Sequence, residues 1–245
     1  MDMSDKTPTP EQIAIAAIAA AKKAYEKAER VALEELRDTL EDRKDNGEGV
    51  NRTYEQEDGR TALAKAAMNL NVRLVKTFLE NGADPNLQNK YGDTPLMYLA
   101  WLYARETDVY AIAVALLEYG GDLNKPNLEG TTPLMVSAST DDVETIVMRL
   151  FLEHGANPNA HDTTGKTPLH YLAQQSLGRK EKAILLCAYG ADVNALDNAG
   201  NTPLDYAGGN LYDVGEFLFQ KGGYLGKALE GLQTSPKAMP QTPAP

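Results

Sequence analysis

With 245 residues, 42% of them hydrophobic, the chain is long enough to bury a substantial core, as one large domain or two small ones. Its 24 lysines and arginines stand against 35 aspartates and glutamates, a formal charge of −11. That balance argues against binding along a nucleic-acid backbone and against an anionic membrane surface. A basic protein partner would be steered in by the same field, which also serves plain solubility.

The N-terminus, MDMSDKTPTPEQ, is acidic and contains proline, with no basic stretch ahead of an apolar core. The apolar run IAIAAIAAA at 13–21 is too short to cross a bilayer and leads into charged helix formers. We therefore expect residues 1–10 to be disordered, with no signal peptide or transmembrane segment and a cytoplasmic location. Export into a host cell by a route that needs no signal peptide is the alternative. From Glu11 to Asn46 there is no Gly or Pro, and Ala, Leu, Glu, Lys and Arg dominate, which predicts helix. We read 11–50 as a helical N-terminal cap, a helix pair rather than one rod. An exposed coiled coil is the competing reading, although the apolar spacing is irregular for heptads.

Beyond this cap the chain repeats itself. G-x-T-x-L recurs as GRTAL (59–63), GDTPL (92–96), GTTPL (130–134), GKTPL (165–169) and GNTPL (200–204). In step with it run GADPN (82–86), GGDLN (120–124), GANPN (155–159) and GADVN (190–194), preceded at constant distance by apolar pairs. Those pairs are Phe78-Leu79, Leu116-Leu117, Phe151-Leu152 and Leu186-Cys187. Thr before Pro suits a helix N-terminus, because the threonine caps and the proline fills a turn whose amide has no helical partner. The glycine of GAD suits a left-handed helix exit. One such unit cannot bury its own apolar face, so neighbouring units must stack.

GKTPLH followed by two helices and GADVN resembles the ankyrin repeat, over roughly residues 51–225. The resemblance implies an all-α ankyrin-repeat solenoid of stacked helix-turn-helix units, with projecting β-hairpin fingers and the helical N-cap. It implies five repeats, about 59–91, 92–129, 130–164, 165–199 and 200–225; the tail at 226–245, with four prolines in QTSPKAMPQTPAP and little to bury, is expected to be largely disordered. GEGVN at 47–51 takes the place of GADPN and suggests half a repeat within the N-cap. Arg43-Lys44 in place of the apolar pair speaks against it. Other departures are Ala62 and Ala64 where the family has Pro and His, and a closing GGYLG (222–226) without Asp or Asn. TPLD at 202–205 with that ending resembles a C-terminal cap. The alanine-rich, solitary architecture would suit a bacterial or phage protein.

Chemistry is sparse. There is no HExxH, no Cys/His metal spacing, no G-x-S-x-G and no GxxxxGK[ST]. His170 belongs to the repeat motif and is expected to be structural; His154 and His161 fall at repeat positions. Cys187 replaces a core leucine and is expected to be buried and inert. No catalytic, cofactor-binding or metal-binding residue is assigned, and an enzyme is not expected.

A partner would meet the positions that break the repeat. Between consecutive full repeats each hairpin asparagine precedes the next glycine by 6 residues, so those fingers are uniform, whereas the first finger, RTYEQEDG after GEGVN, is two residues longer. From first-turn position to asparagine the count is 24 from Ala62, then 29 from Pro95, 26 from Pro133 and 26 from Pro168. The extra length lies between the helices, at 100–111, 138–145 and 173–182, and is expected to stack as one binding ridge. In the resembling family, contacts come from finger tips and first helices. Carried over, these are Lys90, Tyr91, Asp93; Leu128, Glu129, Thr131; Thr163, Thr164, Lys166; and Asn198, Ala199, Asn201. The helix positions are Met68 and Asn69, Trp101 and Leu102, Ser139 and Thr140, Gln174 and Gln175. Tyr91, Trp101, Tyr103 and Arg105 form the centre of the expected interface, being residue types enriched at hot spots. Packing under the insertion is the competing role for Trp101 and Tyr103, and the favoured one for Tyr110. The expected function is a monomeric, non-catalytic binding module, acting as effector or inhibitor on an unidentified protein, a basic one where charge steers the encounter. A structural homo-oligomer built through 11–46 is the alternative.

Overall fold

A computed structural model describes residues 49–51, 53–54, 58–101, 106–140, 145–175, 180–207 and 214–226, with isolated helical positions at 19, 22, 23, 27, 30 and 34. Ten helices are defined among them: α1 (Ala62–Met68), α2 (Val72–Glu80), α3 (Pro95–Trp101), α4 (Glu106–Glu118), α5 (Pro133–Ser139), α6 (Ile146–Glu153), α7 (Pro168–Ala173), α8 (Lys180–Ala188), α9 (Pro203–Tyr206) and α10 (Val214–Gln220). The odd-numbered helices pack on one another as an inner row, and the even-numbered ones as an outer row. The fold is the all-α solenoid of stacked pairs expected from the repeats.

The apolar columns follow from the motif. The inner-helix leucines Leu63, Leu96, Leu134 and Leu169 are fully buried, and so are Phe78, Leu116, Phe151, Leu186 and Leu218 of the outer row. Each such burial stabilises the stack by about 1.5–3 kcal/mol relative to exposure. The helix exits lock the same residues in place. Gly82, Gly120, Gly155, Gly190 and Gly222 all have φ between 86° and 89°, the left-handed conformation in which a Cβ is costly. The residue after each glycine donates its amide to the first carbonyl of the apolar pair, as in Ala83 to Phe78 (3.0 Å) and Ala156 to Phe151 (2.9 Å). This satisfies an orphan helix-end carbonyl.

After the first four exits, Asp or Asn at the third motif position accepts from the backbone of the motif asparagine, as in Asn86 N to Asp84 Oδ1 at 2.8 Å. The motif asparagine then spans to the next unit. Asn86, Asn124 and Asn159 accept from the amides of Asp122 (2.7 Å), Asn157 (2.8 Å) and Asp192 (2.7 Å). Each also donates to the carbonyl of the following exit glycine. This ladder begins before the first full repeat, since Asn51 Oδ1 accepts from the Asp84 amide at 2.7 Å. Asn51 of GEGVN therefore makes the same contact as its counterparts, despite Arg43-Lys44 upstream.

Most of the N-cap segment and the whole of 227–245 lie outside the described residues. The described positions 19, 22, 23, 27, 30 and 34 are helical and exposed, and their spacing of three and four places them along one helix face. Whether 11–46 is one helix or two lies outside the described residues.

Candidate binding face

Four fingers share one construction. A residue three before the tip glycine, Asn89, Asn127, Asp162 or Asp197, donates its amide to the backbone carbonyl of Asp93, Thr131, Lys166 or Asn201 at 2.9–3.0 Å. Its side-chain oxygen accepts two further amides from the tip, as Asn89 Oδ1 does from Tyr91 and Asp93, both at 2.8 Å. The first finger is the longer hairpin, with β1 (Thr53–Tyr54) antiparallel to β2 (Arg60–Thr61). Adjacent fingers are bonded together: Lys90 N to Asp58 O, Leu128 N to Tyr91 O, Thr163 N to Glu129 O and Asn198 N to Thr164 O, at 2.9–3.0 Å. Gly92, Gly130 and Gly165 are left-handed, and a Cβ on any of them would lie 2.6–2.7 Å from the finger beyond it. Conformation and space both demand glycine there.

The finger bases rest on tyrosines of the inner helices. Asn89 donates to the Tyr98 hydroxyl at 2.7 Å, Tyr171 donates to Asp162 at 2.8 Å, and Tyr206 donates to Asp197 at 2.5 Å. Burial, joined by the Asp162 carboxylate, pushes the Tyr171 hydroxyl up to about 12. Burial alone would raise the Asp197 carboxyl, but donation from Tyr206 and from Asn201 outweighs it and brings the group down to about 2. Cations lie over these rings: the Arg60 guanidinium is 5.6 Å from the Tyr98 centroid, and the Lys166 ammonium is 4.8 Å from that of Tyr206. Such contacts contribute about 0.5–1 kcal/mol at partly exposed sites.

His170 is structural, as the motif suggested. Its Nδ1 lies 3.1 Å from the Thr167 amide and 2.9 Å from the Thr167 hydroxyl, and its Nε2 lies 3.1 Å from the Asn201 carbonyl. Burial holds its pKa below the ordinary 6.5. His154 Nδ1 sits 2.9 Å from the Leu150 carbonyl at the end of α6, and His161 is exposed on a finger. Cys187 is half-buried, its thiol pKa raised by burial. It lines an open groove of about 450 Å³ between α8 and α10, with Ile184, Val193 and Phe217.

The expected contact residues divide. Tyr91 and Trp101 are about half exposed, at 51% and 45%, and Glu129 and Gln174 are exposed. Ser139, Lys166 and Gln175 are half-buried. Asp93 and Thr131 are corrected: at 7% and 8% exposure they are finger-base residues rather than tips. Asp93 is covered because Asn127 of the next finger donates to it at 3.0 Å and Asn89 at 3.2 Å. Thr131 lies 3.4 Å from the Tyr171 hydroxyl of the following repeat. Tyr110 is 47% exposed, and the insertion under which it is expected to pack, 102–105, lies outside the described residues. Leu102, Tyr103 and Arg105 lie outside the described residues, as do 141–144 and 176–179 of the expected ridge. At the far end of that ridge Glu181 is exposed but Lys182 is not surface. Lys182 is 2% exposed, and its ammonium donates to the Ser137 carbonyl at 2.9 Å and the Thr140 carbonyl at 3.2 Å. A cation there suits the negative end of α5.

Trp101 belongs to a connected group. Its ring centroid is 6.0 Å from that of Tyr98, whose hydroxyl accepts from Asn89, which in turn holds the Tyr91 amide. One polar and aromatic chain thus ties the half-exposed tryptophan to the finger that carries the exposed tyrosine.

Stacked helix pairs with hydrogen-bonded fingers and a preset outer face define a helical-repeat solenoid. The family profile for ankyrin repeats, built on three copies, matches residues 18–109 and 101–197, and the chain belongs to the ankyrin-repeat family. Ankyrin repeats are generally protein–protein interaction modules. The match begins well upstream of the first full repeat. Among curated proteins, none matches the chain. Among the described residues, no helix is long and apolar enough to cross a membrane.

Proposed function

We propose that the chain is a non-catalytic, monomeric, cytoplasmic binding module that engages a protein partner through its finger tips and inner helices, as an effector or an inhibitor. The single observation carrying this is the Trp101–Tyr98–Asn89–Tyr91 connection. Two large aromatics are presented to solvent, and both are braced by the same finger, so little ordering entropy opposes their use. Tyrosine and tryptophan held in this way are the residue types that dominate interface energetics. The net charge of −11 favours a partner with a basic surface, through faster encounter.

The test is a double substitution, Tyr91→Ala with Trp101→Ala. We expect the variant to melt within about 0.5–1 kcal/mol of the parent, because both side chains are half in water. It should also fail to retain from lysate the partner that the parent captures. Equal capture by the folded double variant would discard this face.

A further inference from the structure

We propose that Lys182 caps α5 from the neighbouring repeat and thereby positions Ser139 and Thr140 on the binding face. Lys182 lies four residues before the apolar pair of its repeat, where earlier units carry Leu74, Ile112 and Val147. In the fifth repeat Val214 stands at the same distance before Leu218. Leu74, Ile112 and Val214 are buried, and Val147 packs against the core. Lys182 is buried like them, so an ammonium stands in an otherwise apolar column. Desolvating an ammonium is unfavourable unless its protons find acceptors. Here the acceptors belong to another repeat: they are the carbonyls of Ser137 and Thr140, 45 and 42 residues away along the chain.

The end of α5 is built to receive it. After α1 the chain turns back on the helix, and the amides of Asn69, Leu70 and Asn71 return to the carbonyls of Lys65, Ala67 and Ala66, each at 3.0 Å. After α7 the amides of Gln174 and Gln175 return to His170 and Leu172, both at 3.2 Å. Thr140 is instead extended, with φ −79° and ψ 147°, so the chain leaves α5 abruptly. Side chains take up the work of the amides there. The hydroxyls of Ser137, Ser139 and Thr140 donate to the carbonyls of Leu134, Val136 and Ser137, at 2.8, 2.8 and 3.1 Å. The Lys182 ammonium adds a second donor at Ser137 and reaches past the helix to Thr140. Ser139 holds the inner-row position that Trp101 and Gln174 hold in their own repeats, so the cap sets where the third repeat would meet a partner. That use rests on the face proposed above, which stands or falls with Tyr91 and Trp101; the cap does not, and its test needs no partner.

The experiment is hydrogen exchange followed by NMR on the intact chain, as the parent and as Lys182→Met, which keeps a long unbranched side chain and removes the donors. In the parent, the Lys182 ammonium protons should exchange at least about tenfold more slowly than those of the exposed Lys76 and Lys221. In Lys182→Met, the amides of 137–140 should exchange at least about tenfold faster than in the parent, while those of 68–71 at the end of α1 keep their rates. An ammonium that exchanges as fast as the exposed ones overturns the proposal, even where the variant does not fold. Unchanged exchange at 137–140 in a folded variant overturns it too. So does an even acceleration along the whole solenoid, which would make Lys182 an ordinary core contact.

Discussion

The second and fourth repeats solve the same helix start differently. In the fourth, Thr167 and His170 form a closed set of hydrogen bonds that also reaches Asn201 in the next repeat. In the second, Met97 stands where His170 does, and the buried Thr94 hydroxyl has no hydrogen-bond partner among the described residues. Yet the second repeat also presents Trp101, beside Tyr91 at the end of the first. Local satisfaction is complete at the fourth repeat's helix start, and among the described residues it lapses at the helix start of the second.

The contrast between these repeats can be broken first at the glycines. Gly165→Ala introduces left-handed strain and a Cβ 2.6 Å from Asn198, and it should cost about 3 kcal/mol in denaturant melts. Gly190→Ala in the same repeat has the strain and open space, so about 1 kcal/mol is expected. Equal losses would mean that finger packing contributes nothing beyond conformation. Next come the helix starts: His170→Met should destabilise by about 2 kcal/mol, because buried groups of Thr167 lose their partner. The reciprocal Met97→His should stabilise by about 1 kcal/mol by giving Thr94 a partner. A destabilised Met97→His would show that the second repeat is shaped around its methionine.

The smallest effect is on pH dependence. The folded pKa of His170 lies below its ordinary 6.5. The neutral side chain therefore contributes stability that is complete above pH 6.5 and is lost as pH falls toward the depressed value. His170→Met should flatten that part of the stability profile, as measured by melting between pH 7.5 and 5, whereas Met97→His should steepen it.

Much of the fold was legible because each motif residue acts locally. Thr-Pro, the exit glycines and the apolar pairs name helix starts, helix ends and core columns without reference to other repeats. The ladder role of Asn51 was half legible, since GEGVN keeps the asparagine while Arg43-Lys44 removes the apolar landmark. Contacts between repeats were not legible. Asp93 and Thr131 look like tip residues along the chain, and only the next repeat buries them. Asn89, Asn127, Asp162 and Asp197 recur three before each tip glycine, a polar period that could have been read but that no apolar pattern marks. Lys182 reads as an exposed helix residue until the carbonyl end of α5 is placed beside it. The proposed face was legible at Tyr91 and Trp101, whose counterparts in other repeats are Glu129, Thr164 and Ala199 at the one position and Met68, Ser139 and Gln174 at the other.

The asparagine ladder has a consequence for how such a chain can change. It fixes the spacing of successive units at their turns, through bonds between Asn51 and Asp84, Asn86 and Asp122, Asn124 and Asn157, and Asn159 and Asp192. The interval between these partners is 33 residues in three of the bonds and 36 in the second, whose unit holds the longest helix connection, while the bond itself is kept. Connections can therefore lengthen or shorten in one repeat without shifting its neighbours out of step. Length changes at the helix connections leave the ladder in register, and whole units become exchangeable parts.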